Sequence, residues 1–194
     1  MEGLFTTFQK ALPLEPAAAD WSQLRAVLSP RQLAKGEALL QPGQVCDSIY
    51  FVAQGVLRHY RPADGAEVNT QFALSGSFTT DFISLTSQQP STLAIAALPA
   101  TEVVRLRRAD MLALYQAAPA LQAVGQRLLE QLLAAQQLRL EAFTHDSAAA
   151  RYRLLCEQEP ALLQAVPLYH LASYLGLRRE TLSRVRRGRP PGAL

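Results

Sequence analysis

The chain has 194 residues, 49% of them hydrophobic, and a mean hydropathy of +0.02, the profile of an ordinary folded protein. No apolar run approaches the roughly 18–20 residues of a membrane span, and the N-terminal MEGLFTTFQKALPLEP lacks the apolar core and cleavage site of a secretory signal, so a cytoplasmic location is expected. The net charge of +3 is unevenly placed: residues 166–194 carry Arg178, Arg179, Arg184, Arg186, Arg187 and Arg189 against one acid, Glu180, which points to a polyanionic partner at that end.

The first thirty residues read as helical pieces, with Trp21, Leu24, Val27 and Leu28 on one apolar stripe. From about Leu33 to Arg107 the pattern turns to short alternating runs such as SIYFVAQG, EVNTQFAL and TEVVRLR, punctuated by Pro42-Gly43, Gly55, Asp64-Gly65, Gly76 and Pro99. Short strands at close spacing with turn residues between them predict a β-sandwich of the jelly-roll kind, with a hairpin at Asp64-Gly65.

After Arg107 the helical period returns. RADMLALYQ makes a short piece, and Pro119 opens a helix reaching about Phe143, roughly 37 Å long. Leu121, Leu128, Leu132 and Ala135 lie on one of its apolar stripes; Leu129, Leu133 and Leu140 form another. A helix apolar on two sides must be covered twice, once by the β-domain and once by its own copy, and the stripe of Leu121, Leu128, Leu132 and Ala135 is assigned to the homodimer seam. Ser147 is a suitable N-cap for AAARYRLLCEQ, which stops before Pro160; Pro167 opens the last segment. The fold class is α+β: a β jelly-roll domain with flanking helices (1–118), a dimerisation helix (119–145) and an all-α helix-turn-helix domain (146–194).

The last segment, LYHLASYLGLRRETLSRVRR, has the offsets of two helices crossing over a tight turn. Ala172 is small at the crossing, Gly176 permits a left-handed turn, and Leu171, Leu175, Leu177, Leu182 and Val185 supply the packing. On the second helix, 100° per residue puts Arg179, Glu180, Ser183, Arg184 and Arg187 within an arc of about 140°, opposite Leu182 and Val185. Arginine can pair with guanine O6 and N7, and glutamate can accept from cytosine N4. Arg179, Glu180, Ser183 and Arg184 are therefore assigned to bases, and Arg187 and Arg189 to phosphates.

At these residues the chain resembles the Crp/Fnr family, whose recognition-helix string matches Arg179-Glu180-Thr181-Leu182-Ser183-Arg184. The resemblance extends to Gly43, to the strand Ile49-Tyr50-Phe51-Val52-Ala53-Gln54-Gly55, to Gly76-Ser77-Phe78, and to the run Ala148–Leu155. It implies a cyclic-nucleotide-binding-like jelly roll, a homodimer on an inverted repeat of double-stranded DNA, and RNA polymerase as a further partner. The effector pocket it implies comprises Gly76, Phe78, Thr80, Asp81, Ser91 and Thr92, with Gln136 and Gln137 of the long helix. The Gly-Glu pair and phosphate-binding Arg of cyclic-nucleotide binders are replaced here by Thr80-Asp81 and Ser91-Thr92. Cyclic AMP is therefore not expected to bind, and the effector is an unfamiliar small molecule or none. The iron–sulfur branch needs a cysteine cluster, and Cys46 and Cys156 are two scattered thiols; no metal or other cofactor is expected. The chain stops soon after Arg184, and a branch without the usual β-hairpin wing is expected.

The function read from these residues is sequence-specific DNA binding by a dimeric transcription regulator. The alternative is a small-ligand-binding module whose helical C-terminal domain binds a protein. No phosphate loop, metal-ligand spacing or nucleophile motif points to an enzyme.

Overall fold

The computed structural model describes residues 2–63, 65–143 and 147–188. Helices α1 (Glu2–Ala11) and α2 (Ala18–Val27) precede the strands β1 (Ser29–Leu33), β2 (Ala38–Leu40), β3 (Ser48–Gln54), β4 (Val56–Ala63), β5 (Ala66–Leu74) and β6 (Phe78–Thr79). A short helix α3 (Phe82–Ser87) separates these from β7 (Ala94–Ala97) and β8 (Thr101–Arg107). Then come α4 (Arg108–Ala117), the long α5 (Pro119–Phe143), α6 (Ala148–Gln158), α7 (Pro160–Ala165), α8 (Leu168–Tyr174) and α9 (Arg179–Arg187).

The strands form two facing antiparallel sheets in the orders β1-β8-β3-β6 and β2-β7-β4-β5. Strand β3 shows why SIYFVAQ carries no clean polar alternation. Tyr50 and Val52 enter the core between the sheets with Leu57, Ile95 and Val103. Phe51, on the other face, is covered by helices and stacks with Phe8 of α1 and Phe78 of β6 at centroid distances of 5.3 and 5.0 Å. A strand buried on both faces needs apolar residues at every step. At the β3–β4 corner Gly55 has φ +103°, and a Cβ there would sit 2.5 Å from the Thr101 hydroxyl, so both conformation and space require glycine.

The jelly-roll expectation is met, and three short elements are added to it. β1 pairs with the edge of β8 and buries only Leu33, so its residues SPRQL carry no strand pattern. α3 is one and a half turns, too short for a helical period. α7 begins on Pro160, which stands at the first helical position rather than simply ending α6. The β4–β5 hairpin closes with Ala63 opposite Ala66, while Asp64 itself lies outside the described residues.

Helix α5 begins at Pro119 as expected. Its glycine, Gly125, marks a close crossing: a Cβ there would fall 1.8 Å from the Tyr115 hydroxyl of α4. Ser147 caps α6 by accepting a hydrogen bond from the Ala150 N–H at 3.1 Å. Helices α6 to α9 enclose a second core of Tyr152, Leu155, Leu162, Leu171, Ala172, Leu175 and Leu182. Val56 of β4 and Phe72 of β5 extend that core onto the outer face of the sheet.

Candidate functional site

Helices α8 and α9 meet across a turn at Gly176 (φ +65°), and the Leu177 N–H reaches back to the Ala172 carbonyl at 2.9 Å. This pairing satisfies a carbonyl that the end of α8 would leave open. Ala172 is buried at the crossing, and Leu182 of α9 is fully buried. Leu177 and Val185 pack around them, as the sequence spacing predicted. With that apolar side fixed inward, Arg179, Glu180, Arg184 and Arg187 are exposed and Ser183 is half-buried beside them. Arg178 and Arg186 are exposed as well, and Arg189 lies outside the described residues. Among the described residues none of these arginines forms an ion pair within the chain, and the first turn of α9 has no side-chain cap.

α8 is fastened to β5, the edge strand of its sheet. Ser173 Oγ accepts from the Asn69 backbone N–H and donates to the Glu67 carbonyl, both at 3.0 Å, and so occupies the ladder positions a further strand would take. The Asn69 side-chain amide donates to His170 Nδ1 at 3.2 Å and to the His170 carbonyl at 3.4 Å, while its oxygen accepts from Arg58 at 3.4 Å. Arg58 also pairs with Glu67 at 2.6 Å and lies over the Tyr60 ring at 3.9 Å. Phe72 stacks on Tyr174 at 5.2 Å. Burial, reinforced by the Arg58 charge and opposed by Glu67, lowers the His170 pKa to about 4. The sequence offered no sign of this contact, because its residues lie about a hundred positions apart.

The residues expected around an effector are less convergent. Thr80 donates to the Ser48 carbonyl at 2.9 Å, and Asp81 caps α3 by accepting from the Ser84 N–H at 3.2 Å. The Ser91 hydroxyl is taken up within its own turn, donating to the Leu93 carbonyl at 2.9 Å and accepting from the Leu93 N–H at 3.0 Å. Gly76 forms the turn before β6 through its N–H to Val52, Phe78 is buried in the aromatic trio, and Thr92 is exposed. Gln137 is exposed on α5, and Gln136 lies outside the residues whose side chains are described.

Comparison with known proteins bears on this arrangement. Residues 30–118 match the family described as cyclic nucleotide-binding domain. The cyclic AMP receptor protein of Thermus thermophilus is 28% identical over 159 residues, which cover 80% of this chain and 74% of that protein. The crystal structure of the catabolite activator protein of Thermus thermophilus superposes with a TM-score of 0.55 at 25% identity, covering 91% of this chain and 85% of that one. A candidate transcriptional regulator of the Crp/Fnr family from Eubacterium rectale gives a TM-score of 0.68 at 16% identity over 92% and 86% of the two chains, a likeness of fold. Over most of its length the chain is similar to Crp/Fnr-type regulators.

Helix α5 uses one apolar stripe within the chain itself. Leu121 and Val124 are buried, and Leu121 and Leu128 pack with Phe8, Phe51 and Leu114. Leu121 and Leu128, expected at a dimer seam, thus face their own β-domain, because the β3–β8 face beneath is itself apolar and needs cover. Leu132 lies farther along that stripe, and Ala135 lies outside the residues whose side chains are described. Leu133, on the other stripe, is 54% exposed. Between α5 and the β3–β8 face runs a partly open cavity of about 510 Å³, floored by Ile49, Phe51 and Leu106 and flanked by α1, α3 and α4. Of the expected effector residues, Phe78 and Thr80 line it. Among the described residues no helix is long and apolar enough to cross a membrane.

Proposed function

We propose that the chain is a Crp/Fnr-type regulator, acting as a homodimer that reads an inverted repeat in double-stranded DNA with α9. The observation that carries the reading is the exposed face of α9, where Arg179, Glu180 and Arg184 stand together with no partner among the described residues. A solvated helix of ordinary composition disperses its arginines among acids; here five arginines of Arg178–Arg187 meet one glutamate. Arg179, Glu180, Ser183 and Arg184 address base edges, and Arg187 and Arg189 address phosphates. The uncapped amides opening α9 suit a phosphate oxygen as well.

The dimer seam is assigned to the face of α5 that carries the exposed Leu133, since Leu121 and Leu128 are packed on the β-domain and Leu129 lines the cavity beside them. A two-fold dimer places its reading helices about 34 Å apart, in successive major grooves. RNA polymerase is the partner that such a regulator would engage once seated. The residues standing where a cyclic nucleotide would be held do not fit one: Asp81 and Ser91 supply no cation, and Asp81 Oδ1 and the Ser91 hydroxyl are bonded to backbone groups.

Gel shifts on genomic fragments across a salt series test the reading. Retarded bands with affinity falling steeply with salt are expected. Absence of any shift at low salt, with capture of a protein by residues 147–188, would favour the alternative of a protein-binding helical domain.

A further inference from the structure

The cavity between α5 and the β3–β8 face holds one charged side chain among the described residues that line it, Arg108. Arg108 is half-buried, and among the described residues its guanidinium has no carboxylate and no hydrogen-bond partner. Its backbone is fixed, because its N–H donates to the Asp47 carbonyl at 2.7 Å. It is also the first residue of α4, where the helix dipole disfavours a cation, so helix stability does not explain its presence. The rest of the lining is dominated by aliphatic and aromatic side chains.

A lone cation beside an apolar chamber of about 510 Å³ specifies a ligand with one anionic end and a long apolar body. We propose that this cavity binds an apolar monocarboxylate, a medium-chain fatty acid in its chemical class, with the carboxylate on Arg108 and the chain lying along Met111, Leu128 and Leu132. The site shares Phe78 and Thr80 with the expected effector pocket but not Asp81 or Ser91, neither of which lines the cavity. It does not depend on how α9 meets DNA.

Trp21, the single tryptophan, lies 6.2 Å from Phe8 of the cavity wall and gives a direct readout. The full chain is titrated with decanoate, decanol and decylamine, following Trp21 fluorescence and heat release. Decanoate should bind one per chain, more tightly than decanol, and decylamine should bind weakest. Arg108→Gln should weaken decanoate about tenfold or more while leaving decanol unchanged. Met111→Trp, which narrows the chamber where the chain would lie, should weaken both, with circular dichroism unchanged in each variant. Equal affinity for the three ligands, an unaffected R108Q, or undiminished binding by a folded M111W would overturn the proposal.

Discussion

Asn69 donates to a neutral imidazole nitrogen, so the contact between α8 and β5 requires His170 without its second proton. Protonation would set an N–H against an N–H beside the Arg58 charge. The sign of the pH effect follows. His170 titrates near 6.5 when unfolded and at about 4 when folded, so its contribution to stability is complete above about pH 6.5 and is lost as pH falls toward 4. Melting temperatures measured at pH 7 and pH 5 should therefore fall further for the wild type than for His170→Gln. Parallel pH curves for the two would contradict this account of the contact. A second expectation concerns Ser91. Calorimetry with cyclic AMP should give no tight binding, because a hydroxyl already engaged at both its donor and acceptor sides replaces the cation; a micromolar or tighter isotherm would require another cation at the site.

At the level of elements, α9 separates packing from reading. Leu182→Ala should destabilise the helical domain by about 2–5 kcal/mol. Arg184→Ala, on the exposed side, should leave thermal stability within about 0.5 kcal/mol. Equal losses of stability would show that the arginine face is packed rather than presented. The division was legible in the sequence because Leu171, Ala172, Gly176 and Leu182 sit at offsets fixed by two crossing helices. The strands were legible from turn residues and apolar runs. What the sequence concealed had less local pattern. β1 buries one residue of five, α3 is too short for a period, and the apolar stripes of α5 do not reveal which one the β-domain takes. The α8–β5 contact and the Arg108 cavity join residues remote along the chain, and only the fold brings them together.

For the whole molecule the division of α5 bears on the proposed assembly. With Leu121 and Leu128 packed on the β-domain, a charge at Leu128 should unfold that junction instead of parting two copies. Leu133→Glu, at an exposed position, should convert a dimer to a monomer by light scattering at micromolar concentration while leaving the melting temperature nearly unchanged. A chain that is already monomeric, or an L133E protein that stays dimeric, would move the seam elsewhere. The proposed dimer would fix the spacing of two α9 helices, and the operator should show two-fold symmetry.

The most direct test of the central claim is selection of bound sites from random duplex DNA by the wild type, Glu180→Ala, Arg184→Ala and Arg187→Ala, with affinities measured across salt. An inverted repeat should emerge for the wild type. Losing Glu180 or Arg184 should cost about 1–3 kcal/mol per half-site and relax the preference at one or two base pairs. Losing Arg187 should weaken all sequences alike and lower the salt dependence by roughly one counterion per contact. Equal, sequence-blind losses from all three variants would show that α9 does not read bases, and the regulator would have to find its sites by other means.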